Sequence, residues 1–248
     1  MSKTLLITGG SRGIGAAAAL LAAQRGWDVA VNYTRDAAAA QRVAEQVRAA
    51  GRRALVVQAD VADETQVLAM YATVDKEFGA LGGLVNNAGV VDMPARVDQM
   101  SLQRLMRMFA INLTGSFLCA REAVKRMSTR HGGTGGVIVN LSSAAARLGS
   151  PGQYVDYAAA KAGIDTFTLG LAREVATEGI RVNAVRPGII DTEIHASGGL
   201  PDRVKQTAPM VPMQRAGSAE EVAQAIVWLL SDDSSYTTGA VIDVTGGR

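Results

Sequence analysis

Cysteine, histidine and aromatic residues are scarce in this sequence of 248 residues. The one cysteine, Cys119, excludes an intrachain disulfide, and its apolar neighbours indicate a small core side chain. Together with only two histidines, His131 and His195, it cannot supply the ligands of an ordinary zinc site. The sequence therefore predicts neither a disulfide framework nor a metal site.

An excess of charge of one sign and a long apolar run are also missing. Twenty-five basic and twenty-three acidic side chains leave a net charge of +2, without a concentrated basic run. Proteins that follow a phosphate backbone carry such runs, so we expect no nucleic-acid partner. The apolar run at 16–23 is too short to cross a bilayer, and no signal peptide is recognisable. We therefore expect a cytoplasmic protein with no membrane partner.

Short β-branched runs alternate regularly with longer helical stretches along the chain. Strands that are apolar throughout indicate a parallel sheet with crossover helices on both faces. Seven strands are predicted, at residues 4–8, 29–32, 54–58, 83–86, 137–141, 181–186 and 241–244. The clearest helical stretches lie at 13–25, 37–50, 63–78, 102–130 and 155–178. With no linker or internal repeat, the pattern predicts one α/β domain.

Two further stretches carry information about function. Residues 190–216 contain two glycines and three prolines with little periodicity, as an irregular insertion over a substrate would. A loose surface connection is the alternative, and the sequence leaves both open. Residues 155–176 are apolar on more than one helix face, whereas a sheet buries only one stripe, so we expect contact with another subunit.

The first predicted strand ends in a glycine-rich turn from which a helix starts at once. Gly9, Gly13 and Gly15 follow the pattern Gly-x-x-x-Gly-x-Gly. Such a turn needs unusual dihedral angles, and a phosphate must approach its backbone without a Cβ in the way. The last glycine lets the helix pack on the sheet with its N-terminus toward a pyrophosphate. A plain turn is the alternative, but the position after the first strand favours a dinucleotide site.

The end of the second predicted strand indicates which dinucleotide is bound. NAD-selective sites usually place an acidic residue there for the ribose 2′-hydroxyl, and this strand ends without one. Arg12 and Arg35 are instead suited to bind a 2′-phosphate. We therefore expect NADP(H) to be favoured, while the nearby Asp36 keeps NAD(H) as the alternative.

Tyr157 and Lys161 stand four residues apart on a predicted helix, so their side chains share one face. A tyrosine titrates near pH ~10, but a nearby ammonium lowers the pKa of a partner by roughly one to three units. The pair therefore predicts a residue that moves a proton to or from a substrate oxygen. An ordinary tyrosine with an exposed lysine is the alternative for the pair alone. Tyr154 has Ala158 at the same spacing and lacks a charged partner.

These motifs stand in an order that resembles the short-chain dehydrogenase/reductase family over essentially the whole chain. In sequence order they are Thr8 with the glycine turn, residues 86–89, Asn112, Ser143, residues 157–161, and Pro187-Gly188 followed by Thr192. The resemblance implies a single doubly wound Rossmann domain over residues 1–248, with a parallel seven-stranded sheet. It also implies a homotetramer, and hydride transfer between a nicotinamide dinucleotide and an alcohol or carbonyl substrate.

The resemblance assigns four catalytic residues. Ser143 would bind the substrate oxygen, and Tyr157 would move the proton. Lys161 would bind the nicotinamide ribose, and Asn112 would hold a water near it. Ser142 stands beside Ser143, but the one extra residue before Tyr157 leaves Ser143 as the assignment. The implied cofactor contacts are Gly9, Ser11, Arg12, Gly13, Ile14, Gly15, Asn32, Tyr33, Arg35, Asp60, Val61, Asn87, Ala88, Gly89, Tyr157, Lys161, Pro187, Gly188, Ile190 and Thr192.

Three functions remain open at this point. The first is a reductase or dehydrogenase for a small polar alcohol, ketone or sugar. The second is a 3-oxoacyl-carrier-protein reductase, for which Arg173 fits a docking position, whereas the glycines at 132–136 stand where a second arginine is expected. The third is a catalytically silent dinucleotide-binding sensor, which the presence of Ser143, Tyr157 and Lys161 disfavours.

Overall fold

A computed structural model describes residues 3–193, 198–200 and 202–248, so His195 and Pro201 lie outside the described residues. The described chain forms a parallel seven-stranded sheet of order β3-β2-β1-β4-β5-β6-β7. Each predicted strand is confirmed to within one residue at either end. The strands are β1 Thr4–Ile7, β2 Asp28–Tyr33, β3 Ala54–Gln58, β4 Gly83–Asn86, β5 Gly136–Leu141, β6 Ile180–Pro187 and β7 Val241–Val244.

The helices connect these strands, and four of them begin at a side-chain cap. The side chains of Asp36, Asp63, Ser101 and Ser218 each accept a backbone N–H of the first turn. None in the described part of the chain is long and apolar enough to span a membrane. They are α1 Gly13–Gln24, α2 Ala37–Ala49, α3 Glu64–Phe78, α4 Leu102–Phe109, α5 Gly115–Met127, α6 Ala145–Leu148, α7 Val155–Val175, α8 Arg203–Thr207 and α9 Ala219–Leu230. Short 3-10 turns lie at Val97–Gln99, Thr129–His131, Ala176–Glu178, Ala208–Met210 and Asp232–Ser234.

Helices cover both faces of the sheet, as the apolar strands predict. Leu5 and Ile7 of β1 point to one face, where they pack with buried residues of α1, α2 and α9. Leu6 points to the opposite face and packs with buried residues of α3, α5 and α7. This alternation follows from the two-residue period of a strand. Two apolar layers on one sheet make a single doubly wound domain.

The helix predicted at 102–130 is wrong in one respect, because it is interrupted by a π-helical turn at Ala110–Thr114. Asn112 lies in this turn, and its side-chain amide donates to the carbonyl oxygen of Met108 at 3.0 Å. A side chain that bonds to the carbonyl four residues earlier competes with the helical backbone and widens the turn. The periodicity of the sequence continues through this turn and does not reveal it.

The segment predicted as an irregular insertion has some regular structure. It contains α8 and the 3-10 turn Ala208–Met210. Ile190 forms an isolated bridge with Gly217, so the two ends of the segment lie next to each other. The described part of the segment therefore arches out from the carboxyl end of β6 and returns to it.

Strand order reverses between β1 and β4, which are neighbours in the sheet but not in sequence. The chain leaves β1 for α1 on one face, while the helices that follow β4 lie on the other. The connections diverge at the carboxyl ends of these two strands and leave a crevice between them. The fold thus places both the glycine turn after β1 and the segment after β4 at one crevice.

Candidate active site

Close packing explains the glycines of the turn after β1. Gly9 has a φ of +61°, a left-handed conformation that side chains disfavour. A Cβ on Gly15 would lie 2.5 Å from the Asn87 amide nitrogen and 2.6 Å from the Gly9 carbonyl oxygen. Neither position accepts another residue without moving the backbone.

Thr8 and Asn87 join the carboxyl ends of β1 and β4. The Thr8 hydroxyl accepts the backbone N–H groups of Asn87 and Ala88, each at 3.0 Å. In return, the Asn87 side chain donates to the carbonyl oxygens of Thr8 and Gly9, each at 2.9 Å. Thr8 was not among the expected contact residues, although a threonine directly before the glycine turn is a visible signal for it.

Asn32, another of the expected contact residues, supports the glycine turn with its side chain. The side chain is buried, and its oxygen accepts the N–H of Gly9 at 3.1 Å. Its amide donates to the carbonyl oxygens of Val57 and Ala59 at 3.3 and 3.0 Å. These bonds leave the side chain enclosed between β2, β3 and the turn.

Most of the other expected contact residues line one elongated cleft over the crevice. The N-terminus of α1 opens into it, with no side-chain cap and no acidic residue in the first turn. Free N–H groups and the helix dipole at this end suit the pyrophosphate of a dinucleotide. The lining includes Gly9, Ser11, Arg12, Gly13, Ile14, Tyr33, Arg35, Asp60, Val61, Asn87, Ala88, Gly89 and Thr192.

Charged side chains line this cleft near the end of β2. Within the described residues, Arg12 and Arg35 are exposed and have no ion-pair partner. The Asp36 carboxylate caps α2 by accepting the N–H of Ala39 at 2.8 Å. The two guanidinium groups are thus available to an anion, whereas the Asp36 carboxylate is engaged by the helix.

Ser143, Tyr157 and Lys161 meet in a second pocket that continues from the cleft. Pro187, Gly188, Ile190 and Thr192 line the same pocket. The neighbouring Ser142 donates its hydroxyl to the carbonyl oxygen of Lys161 at 3.1 Å and is buried. The Ser143 hydroxyl accepts the N–H of Ala145 at 3.1 Å and hydrogen-bonds to Tyr157. Of the two serines, Ser143 has its hydroxyl beside Tyr157.

Burial dominates the acid–base properties of this cluster. It raises the pKa of Tyr157, and the hydrogen bond from Ser143 opposes the rise. The Lys161 ammonium lies 5.7 Å from the centre of the Tyr157 ring and donates to the carbonyl oxygen of Leu141 at 2.6 Å. The pKa of Tyr157 is therefore raised and not lowered as its spacing from Lys161 predicts, because burial is the largest influence on it. Burial lowers the pKa of Lys161 itself to about 8.

Asn112 approaches the cluster from the π-helical turn. Its side chain accepts the N–H of Val90 and donates to the carbonyl oxygen of Val90, both at 3.0 Å. A Cβ on Gly89 would lie 2.9 Å from the Asn112 oxygen and 3.7 Å from the Lys161 nitrogen. Asn112 and Lys161 therefore face each other across a glycine, which keeps the space between them open.

A buried ion pair beside Tyr157 was not expected from the sequence. The Arg104 guanidinium of α4 contacts the Asp156 carboxylate of α7 at 2.8 Å, and both side chains are largely buried. Asp156 also accepts the backbone N–H of Tyr157 at 2.9 Å, and Arg104 donates to the carbonyl oxygen of Met93 at 2.6 Å. An aspartate next to Tyr157 on an apolar helix indicates a buried charge that needs a partner. The sequence does not identify that partner, because Arg104 lies 52 residues away.

We expect Arg104→Met to lower the free energy of unfolding by about 3–5 kcal/mol, because the Asp156 carboxylate would stay buried without its cation. Urea denaturation measures the change. Arg96→Met is the control, since Arg96 pairs with Asp98 at the exposed surface. The free energy of unfolding of Arg96→Met should fall by less than about 1 kcal/mol. Equal losses in the two variants would contradict a special role for the buried pair.

Comparisons with known proteins agree with this geometry. A family model described as enoyl-(acyl carrier protein) reductase matches residues 9–248. The chain is 58% identical over 243 residues to the uncharacterized oxidoreductase YgfF of Escherichia coli K12, with 98% of each covered. It is 40% identical over 248 residues to a 3-oxoacyl-(acyl-carrier-protein) reductase of Staphylococcus aureus, covering 100% of this chain and 98% of the relative.

Solved structures give the same result. A short-chain type dehydrogenase/reductase from Mycobacterium marinum superposes with a TM-score of 0.92 at 36% identity, covering 99% of this chain and 94% of that one. A short-chain dehydrogenase/reductase variant of Serratia marcescens has a TM-score of 0.91 at 33% identity, covering 99% and 97%. The chain belongs to the short-chain dehydrogenase/reductase family of NAD(P)-dependent oxidoreductases.

Proposed function

We propose that this chain transfers a hydride between NADP(H) and a small alcohol or carbonyl compound, with Ser143, Tyr157, Lys161 and Asn112 as its catalytic residues. One observation carries the proposal. The pocket that holds Ser143, Tyr157 and Lys161 opens into the dinucleotide cleft, and Ile14, Asn87 and Gly89 line both. A substrate at Tyr157 would therefore lie against the reactive end of a bound dinucleotide.

The dinucleotide supplies a hydride to the carbonyl carbon in reduction and accepts one in oxidation. In the reducing direction, Ser143 holds the carbonyl oxygen, and the Tyr157 phenol gives that oxygen its proton. Lys161 would bind the nicotinamide ribose. With a pKa of about 8 it can also return a proton to Tyr157 near neutral pH. Asn112, across Gly89 from Lys161, would hold the water that links this lysine to solvent.

We expect Tyr157→Phe to lower kcat by about 10²–10⁴-fold, because the substrate oxygen loses its proton donor. The dissociation constant for NADPH, measured by fluorescence titration, should stay within about twofold of the wild-type value. Tyr236→Phe, at a fully exposed tyrosine, is the control and should change neither quantity.

Near-normal turnover by Tyr157→Phe would contradict the acid–base role. The assay panel contains ketones, sugars and acyl thioesters. If the wild-type protein binds NADPH but turns over none of them, the dinucleotide-binding sensor becomes the better explanation.

The preference for NADP(H) rests on the charges at the end of β2. Arg12 and Arg35 line the cleft without an acidic partner among the described residues, and the Asp36 carboxylate is engaged as a helix cap. A ribose 2′-phosphate would add charge-assisted bonds to both guanidinium groups. A 2′-hydroxyl would leave them unpaired.

We expect Arg35→Ser to weaken NADPH binding by about 10-fold or more, because a hydrogen bond to a charged group contributes about 1.5–3 kcal/mol. Binding of NADH should change by less than about twofold. Parallel titrations with both dinucleotides measure this, and Arg25→Ser, at the far end of α1, serves as the control. Tighter binding of NADH than of NADPH by the wild-type protein would reverse the assignment.

Reduction of a 3-oxoacyl group on a carrier protein is the second candidate, because a relative at 40% identity carries that name. Arg173 is exposed, as docking requires. In the loop at 132–136, Gly133 and Gly135 do not admit an arginine, since a Cβ on Gly133 would lie 2.4 Å from the Met127 backbone and one on Gly135 would lie 2.5 Å from Gly179. The exposed Arg130 nearby is paired with Glu178. These contacts favour a small-molecule substrate.

A homotetramer is proposed from the apolar surface that α5 and α7 leave uncovered. Phe117 of α5 and Leu169 of α7 are 46% and 40% exposed. The Phe117 ring stacks on Phe167 with 3.7 Å between ring centres, so the two helices form one continuous apolar face. A face of this kind is typical of a subunit contact. The cytoplasmic location stays a prediction.

We expect Phe117→Glu to reduce the mass measured by light scattering from that of a tetramer to that of a dimer or monomer. A buried, unpaired carboxylate at the contact costs more than the contact contributes. Leu68→Glu is the control, because Leu68 is equally exposed, at 43%, but lies on α3. A monomeric wild-type protein would refute the proposal directly.

A further inference from the structure

One cation at the substrate pocket has no part in the proposed proton chemistry. Arg203 is the first residue of α8 and lines the same pocket as Ser143 and Tyr157. A substrate whose oxygen is bound by Ser143 and Tyr157 therefore shares its pocket with Arg203.

Two contacts hold the Arg203 guanidinium in place. It donates to the Gln153 side-chain oxygen at 2.7 Å, and its central carbon lies 5.1 Å from the centre of the Tyr154 ring. Tyr154 is buried and directly precedes α7, so Arg203 is held against the turn that leads to Tyr157. The backbone of Gln153 is itself anchored, since its carbonyl oxygen accepts the N–H of Ala95 at 3.0 Å. A cation held in this way loses little side-chain entropy on binding a ligand.

Arg203 also lacks a carboxylate partner within the described residues. Other arginines near the site do have one, and the pairs are Arg104–Asp156, Arg147–Asp243 and Arg186–Asp165. The single bond to Gln153 uses one of the five N–H donors of a guanidinium group. The remaining donors can bind an anion in two-point geometry.

The charge of the pocket favours an anion as well. Among its described lining residues, the charged side chains are Lys161, Arg203 and Arg248, and none is acidic. Lys161 is bonded to Leu141, and Arg248 is exposed. Apolar side chains such as Leu148 line the same pocket. Arg203 is thus the fixed cation available to a substrate.

We propose that the substrate carries an anionic oxyacid group, a carboxylate or a phosphate, that binds Arg203 while Ser143 and Tyr157 hold its reacting oxygen. This inference rests on the proposed oxidoreductase function and names its substrate class as small oxo acids and hydroxy acids, or the corresponding phosphate esters. In reduction, the carbonyl carbon gains the hydride of the reduced dinucleotide, and the carbonyl oxygen gains the Tyr157 proton. The oxo compound becomes the hydroxy compound, and the dinucleotide is oxidised. The pocket volume of about 150 Å³ suits a compact molecule.

The test compares three matched series of substrates on the full-length enzyme. They are short oxo acids, the methyl esters of those acids, and hydroxyketone phosphates of the same length. We expect kcat/KM to be at least about 10-fold higher for an anionic series than for the esters, as a charge-assisted bond predicts. The preferred anionic series then identifies the group as a carboxylate or a phosphate.

Three variants assign that preference to Arg203. Arg203→Gln should lower kcat/KM for the anionic substrates by about 10–100-fold, mainly through KM, and change that for the esters by less than about twofold. Arg203→Lys keeps the charge and should restore part of the loss. Lys205→Gln is the matched control, since Lys205 is an exposed cation of the same helix that does not line the pocket.

Two results would overturn the inference. One is equal use of both anionic series and the esters by the wild-type enzyme, which leaves the oxidoreductase function standing. The other is an equal loss for both series in Arg203→Gln. If no series is turned over, the proposed oxidoreductase function fails, and the anion site is tested separately. Calorimetry then measures the binding of acetate and of inorganic phosphate to the enzyme saturated with NADP⁺. Binding that disappears in Arg203→Gln supports the anion site, and binding that is absent or unchanged refutes it.

Discussion

The hydrogen bonds between the ends of β1 and β4 hold together the crevice on which the site depends. Thr8 and Asn87 exchange two bonds, and two more join Thr8 to Ala88 and Asn87 to Gly9. The two strands are neighbours only because the sheet order reverses there. The chain diverges to opposite faces directly beyond these bonds, so the space between the connections is a consequence of topology. The glycine turn, the free N-terminus of α1 and Gly89 all border that space.

Helix α7 brings Tyr157 and Lys161 to this crevice and is held in place by polar contacts. Asp156 joins it to Arg104, the Lys161 backbone accepts the Ser142 hydroxyl, and Thr168 accepts the buried amide of Asn140. Buried polar groups need partners, so each bond restricts where α7 can lie against β5 and α4. The positions of Tyr157 and Lys161 therefore depend on residues that never touch a substrate.

Burial sets the protonation properties of the cluster more than charge pairing does. The spacing of Tyr157 and Lys161 correctly places both on one helix face, but it does not determine where the ammonium points. Leu141 offers a carbonyl oxygen at 2.6 Å, and the lysine takes it. The Tyr157 pKa is consequently raised by desolvation and opposed by Ser143, while that of Lys161 falls to about 8. The uncharged form of each group is thus more favoured than it is in water.

The sequence by itself determined the strands, their parallel arrangement, the glycine turn and the common helix face of Tyr157 and Lys161, because periodicity, dihedral requirements and spacing are local properties. It did not determine the π-helical turn at Asn112, the burial of Asn32, the pair of Arg104 with Asp156, or the placement of Arg203 on Tyr154. Each of these depends on a contact between residues distant in the chain, or on competition of a side chain with the backbone. Such contacts exist only after the sheet and its helices have packed, so the tertiary structure decided them.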